Sequence, residues 1–198
     1  MKRLFSVLAC VALLSSAAFA QQFAKTGVVE IGGNVGFSNM TGVSNGETAG
    51  NSISIFQINP TIGCFVTDGL ELGINPLEFT TIEGEASGLT TMSSGAGGES
   101  QTMVGFWAFG AYNFSTGGPA FPYLQAQVGY TSESFGGSSF SGLSYGFAGG
   151  AKFKLAGGLL LNAGLSYKFY TYNPSGAENR FGMNILSVGV GISGFFGK

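Results

Sequence analysis

Residues 143–169 read LSYGFAGGAKFKLAGGLLLNAGLSYKF. Leu143, Tyr145, Phe147, Ala151, Phe153 and Leu155 alternate with Ser144, Gly146, Ala148, Gly150, Lys152 and Lys154. Beyond Ala156-Gly157-Gly158 the alternation resumes, with Leu159, Leu161, Ala163, Leu165, Tyr167 and Phe169 set against Asn162, Gly164, Ser166 and Lys168. A period of two marks a strand with two unlike faces. A glycine-rich connection between two such runs makes an antiparallel hairpin.

The same pattern extends outward in both directions. Val29, Ile31, Val35 and Phe37 alternate with Glu30, Gly32, Asn34, Gly36 and Ser38, and Leu186, Val188, Val190, Ile192 and Phe196 with Ser187, Gly189, Gly191 and Ser193. Weaker versions place Phe56, Ile58, Ile62 and Cys64 on one face of 52–66, Leu70, Leu72 and Ile74 on one face of 70–80, and Leu124, Ala126, Val128 and Tyr130 on one face of 121–132. Residues 101–114 offer Val104, Phe106, Ala108, Tyr112 and Phe114, but Trp107 and Phe109 leave that register ambiguous. Eight strands result.

Three connections are tight: Thr67-Asp68-Gly69, Ser115-Thr116-Gly117-Gly118-Pro119 and Ala156-Gly157-Gly158. The other four, roughly 39–51, 82–100, 133–141 and 173–182, read as long polar loops. Short turns at one end and long loops at the other describe an up-and-down meander.

Composition decides what surrounds it. Charged residues are 9% of the chain and aromatics 14%, with 35 glycines and positive mean hydropathy; soluble domains carry about 25% charge. Strands of about 10–14 residues suffice for a tilted bilayer crossing, which takes roughly 9–11. The non-apolar face is Gly, Ser, Asn, Gln and Thr, which suits a narrow lumen. Aromatics gather at both ends of the spans: Phe37, Tyr130, Tyr145, Tyr167 and Phe169 on the loop side, and Tyr112, Phe114, Phe121, Tyr123 and Phe196 on the turn side. Lipid offers no hydrogen-bond partners, so a spanning sheet must close on itself. The expectation is an all-β, eight-stranded antiparallel transmembrane barrel in a bacterial outer membrane.

The first residues fit that location. Met1-Lys2-Arg3, an apolar run from Leu4 to Leu14 and Ala18-Phe19-Ala20 have the layout of a secretory leader, residues 1–20, with the barrel domain over 21–198. Leu8-Ala9-Cys10 resembles a lipid-attachment site but would cut the apolar run in half. Loss of the leader takes away two of the eight basic residues and leaves six against ten acidic ones, a balance of −4. Nucleic acid is not an expected partner of such a surface. Only Cys64 remains after cleavage, so no intramolecular disulfide and no cysteine metal cluster is expected.

The chain has no histidine, which removes Ser-His-Asp chemistry and His-ligated metals. No cofactor is expected and no enzymatic activity. Gly189-x-Gly191-x-x-Gly194 matches the dinucleotide fingerprint by letter, but it lies within the last strand with no helix to follow. The inward charges are the candidate site. Glu30, Glu71, Lys152 and Lys154 all fall near the turn end, and Lys168 also points inward. Unpaired charges are costly in a lumen; these residues either pair into an ionic plug or sit in separate hydrated pockets.

The hairpin Phe56-Gln57-Ile58-Asn59-Pro60-Thr61-Ile62-Gly63-Cys64-Phe65-Val66-Thr67-Asp68-Gly69-Leu70-Glu71-Leu72-Gly73 resembles the second hairpin of the small outer-membrane β-barrel family, the OmpA/OmpX-like and opacity-type "porin family" proteins. Shared elements are an aromatic strand with a proline, Gly-x-Phe-Val, an Asp-containing turn and Leu-x-Leu-Gly. Gly197-Lys198 follow the terminal aromatic that the family's assembly machinery reads, and no wall-binding domain like that of OmpA is expected. The resemblance implies contacts with outer-membrane lipids, lipopolysaccharide and the barrel-assembly machinery, and a monomer. It also implies a structural or surface-interaction role, in adhesion or envelope integrity, through the long loops. The alternative is a narrow channel for small solutes, although aqueous channels take about 16–18 strands.

Overall fold

The computed structural model describes residues 23–44, 47–83, 101–135, 138–172 and 181–197. The segment read above as a leader, and most of the segments 82–100 and 173–182, lie outside them. Eight strands follow in order: β1 (Val29–Ser44), β2 (Glu47–Thr67), β3 (Leu70–Glu83), β4 (Gln101–Asn113), β5 (Ala120–Phe135), β6 (Ser138–Lys154), β7 (Leu159–Tyr172) and β8 (Phe181–Phe196). Each pairs antiparallel with its neighbours, and β8 returns to β1 to close the barrel. The seam runs from Val29 opposite Phe196 to Phe37 opposite Val188. No edge is left in the described sheet, as a lipid surround requires.

The two faces are inverted relative to a soluble protein. On the outer wall Leu124, Leu143 and Phe147 are 60–65% exposed, whereas Glu71 and Lys168 inside are at 1% and 2%. The wall finds its apolar partner in hydrocarbon, and the interior is filled by polar side chains. Tyr145 and Phe169 stack outside at 4.8 Å, and Tyr112 meets Phe114 edge-on at 4.9 Å. These pairs mark the two interfacial girdles.

Several expectations need correction. Segments 39–51 and 133–141 are largely strand. The ladder continues through Thr41 opposite Ser52 to Ser44 opposite Glu47, and through Glu133 opposite Phe140 to Phe135 opposite Ser138. A hairpin satisfies its own backbone groups, so pairing persists where composition alone suggests a loop. The strands therefore span 13–21 residues rather than 10–14. Phe121 is buried and Tyr123 lines the interior, so neither belongs to the turn-side girdle. In β4 the ambiguity resolves outward for Val104, Phe106 and Tyr112, with Phe114 outward just beyond the strand, and inward for Trp107 and Phe109. Glycine makes the inward positions possible. A Cβ on Gly129 would lie 2.6 Å from Trp107 Cδ2, and one on Gly73 2.7 Å from Phe109 Cε1.

At the turn end the described residues start inside the barrel mouth. Phe23 seats against Phe65, Phe121 and Phe195, with ring centroids at 5.1, 4.9 and 5.4 Å. Ala24, Val28 and Leu160 complete this apolar cluster. Sequence periodicity gave no hint of it, because Phe23 precedes the first strand.

Candidate functional site

The interior charges lie in two layers. In the layer nearer the turns, β6 aims Lys152 at carboxylates from β1 and β3. Its Nζ lies 2.6 Å from Glu30 Oε2 and 2.9 Å from Glu71 Oε2. Ser193 Oγ donates to Glu30 Oε1 at 2.7 Å and accepts from Asn162 Nδ2 at 3.0 Å. Asn113 Nδ2 donates to Glu71 Oε2 at 3.3 Å. Six strands thus contribute to one network. Gly63 leaves the space for Glu71, since a Cβ there would lie 2.8 Å from Glu71 Cδ. Lys152 also sits 5.4 Å from the centroid of the Phe23 ring and 5.7 Å from that of Tyr123, within cation–π reach.

The second layer is nearer the loops. Lys168 on β7 pairs with Glu78 on β3, both 2% exposed. Tyr170 Oη donates to Glu78 Oε1 at 2.9 Å. Lys168 Nζ lies 5.0 Å from the Trp107 ring centroid, and Trp107 meets Tyr170 edge-on at 5.9 Å. Each carboxylate oxygen of Glu78 therefore has a partner.

Glu78 faces inward because of a bulge. The β3 register against β4 shifts between Asn75 and Glu78, so three steps on β3 match two on β4, from Trp107 to Gly105. Pro76 lies in that interval, where a residue without an N–H is tolerated. Bulges re-aim side chains; here Leu77 goes outward and Glu78 inward.

A cavity of about 90 Å³ is lined by residues of both layers together with Asn34, Gln57, Asn59, Gln125, Gln127 and Ser166. It has room for a handful of waters, each needing about 10–15 Å³. Asn75 Oδ1, Asn162 Oδ1 and Ser187 Oγ are buried without a protein partner among the described residues, and all three residues line this chamber. Gln57 reaches Thr80 and Asn75 reaches Asn59, each at 3.3 Å.

Of the five charges read from the sequence, the structure joins Glu30, Glu71 and Lys152. Lys168 belongs to the other layer and pairs with Glu78, which alternation had not singled out. Lys154 lies apart from the Glu30–Lys152–Glu71 cluster as described. It is exposed at the turn-side rim, its ammonium 5.5 Å from the Phe195 ring centroid. Cys64 faces outward from β2 as a free thiol.

The outer membrane protein β-barrel domain, as a family model, matches residues 6–193. The chain belongs to that family. Its location is the bacterial outer membrane, and its eight-stranded architecture recurs in solved relatives. Neisserial surface protein A superposes with a TM-score of 0.60 at 16% identity, over 86% of this chain and 98% of that one. The outer membrane protein OprG of Pseudomonas aeruginosa gives 0.51 at 16% identity, over 88% and 98%. No curated protein matches the chain by sequence. This outer-membrane barrel shares with those structures the fold.

Proposed function

We propose that the barrel is closed to solute flow and that its role is structural or surface-interactive, exerted from its extracellular side. The observation that supports this is the doubly bridged lumen, in which Glu30–Lys152–Glu71 and Glu78–Lys168 span the interior between non-adjacent strands. An ion crossing it would have to break buried, hydrogen-bonded pairs, and removing one partner of such a pair costs about 3–5 kcal/mol. The outer wall meets outer-membrane lipid and lipopolysaccharide, and the assembly machinery reads the Phe196 end. A single copy suffices, and extracellular partners contact the loops.

A narrow channel is the second reading, favoured by the polar chamber between the layers. Single-channel recording in a planar bilayer separates the two. The folded protein should be silent, and Lys152→Met combined with Lys168→Met should admit current while Lys154→Met should not. Steady, reproducible steps from the unaltered protein would assign it to the channels. The surface role is checked on bacteria displaying the barrel, by replacing residues 84–100 with a short Gly-Ser linker. Loss of adherence supports it, and unchanged adherence and envelope integrity argue against it.

A further inference from the structure

The segment before β1 crosses the periplasmic opening of the barrel like a strap. It enters at Phe23, whose ring fills the centre of a socket made by Phe65 of β2, Phe121 of β5, Leu160 of β7 and Phe195 of β8. Four backbone hydrogen bonds fix its course. Gly69 N donates to Ala24 O, Gly27 N to Phe65 O and Phe65 N to Val28 O, each at 2.8 Å, and Val28 N turns back to Lys25 O at 3.0 Å. Outside the mouth Lys25 pairs with Asp68 at 2.6 Å, and Thr26 donates to the same carboxylate through N at 3.0 Å and Oγ1 at 3.1 Å.

Two features distinguish this strap from an ordinary chain terminus. Ala24 holds φ at +64°, a left-handed conformation that a residue with a Cβ rarely adopts. Such a conformation persists only where the surroundings over-determine it. In addition, the strap's attachments are separable from the wall. The Lys25–Asp68 latch is solvent-exposed at 48% and 59% of its side chains, and surface pairs hold weakly. Lifting residues 23–26 breaks no strand pairing of the barrel, yet it uncovers Lys152 and the polar chamber above.

We propose that residues Phe23–Thr26 are a periplasmic lid hinged at Gly27 and Val28, and that this lid, rather than the barrel wall, governs the access of water and small polar solutes to the lumen chamber from that side. Phe23 is the stopper and Lys25–Asp68 the latch. Because strap and wall meet only at the mouth, the lid opens and closes with the barrel intact. The inference deepens the closed-barrel reading by locating its periplasmic seal, and it is tested separately from conduction.

The test reads entry into the chamber directly. In a Cys64→Ser background, Ala148→Cys places a thiol on the chamber wall. The chain from Gln21 onward is refolded, and its reaction with a small charged methanethiosulfonate reagent is timed. Heat-modifiable gel migration verifies folding. Phe23→Ala should raise the labelling rate by roughly tenfold or more, because local opening sets access. Phe23→Leu should stay near the parent rate. Asp68→Asn, which frees the latch and leaves the socket alone, should raise the rate by a smaller factor. Equal rates for the parent and folded Phe23→Ala would overturn the proposal. Should Phe23→Ala not fold, an unchanged rate in Asp68→Asn overturns it instead. A conducting parent would refute the closed-barrel reading and leave this comparison standing.

Discussion

Replacing Lys168 with Met removes a charge while keeping most of the side chain's length and apolar stem. Glu78 would then remain buried at 2% exposure with only the Tyr170 hydroxyl as partner. Stripping one partner from a buried pair costs about 3–5 kcal/mol. The Tyr170 bond and the polar chamber soften that penalty, so the lower end, about 3 kcal/mol, is expected. Glu78→Gln strands Lys168 in the same way but keeps its position 5.0 Å from the Trp107 ring, a contact of roughly 0.5–2 kcal/mol. Glu78→Gln should therefore cost somewhat less than Lys168→Met. The double variant leaves no buried charge at this layer and should recover most of the loss, giving a coupling energy above about 2 kcal/mol. The assay is equilibrium urea unfolding in detergent micelles, followed by emission of Trp107, the single tryptophan. A Lys168→Met cost below about 1 kcal/mol, or a double variant no more stable than the worse single one, would refute the reasoning.

Other consequences are sharper in sign than in size. Gly63→Ala brings a methyl against the Glu71 carboxylate, forces it off Lys152, and should destabilise by about 1–3 kcal/mol in the same urea titration. The Asp68 carboxyl is held below its ordinary range, first by the hydrogen bond from Lys25 and then by the Thr26 N–H. Its contribution is present above the unfolded value, near 3.9, and is lost as pH falls through the lowered folded one. Protection of the Ala24–Gly27 amides, taken relative to their intrinsic exchange rates at each pH, should fall on acidification, and Asp68→Asn should abolish that pH dependence. Cys64, on the outer wall, should resist charged thiol reagents in lipid vesicles and react with an apolar maleimide; rapid charged labelling would place β2 outside the bilayer.

The barrel was legible because its walls obey one rule, and the failures cluster where that rule is locally broken. Glu30, Glu71 and Lys152 sit on uninterrupted alternation, and all three are buried in the barrel interior. Glu78 was hidden by the extra residue at Pro76-Leu77, which no two-residue period reveals. Lys154 obeyed the period but ran past the end of the enclosed wall, where facing inward means facing water. Trp107 and Phe109 looked ambiguous because the lumen, expected to be polar, accepts rings wherever facing glycines clear space. Phe23 belongs to no strand, so only three-dimensional closure shows its seat.

Lys152 and Glu30 are 122 residues apart in the chain, and they meet across the interior rather than along a shared ladder. Such a contact cannot form while the sheet is open. Until β8 finds β1, the growing sheet carries bare carboxylates and ammonium groups on one side, which favour water over hydrocarbon. The clasp is therefore a late contact in folding, because a pairing 122 residues apart in sequence carries the full loop-closure cost of the sheet that brings it together.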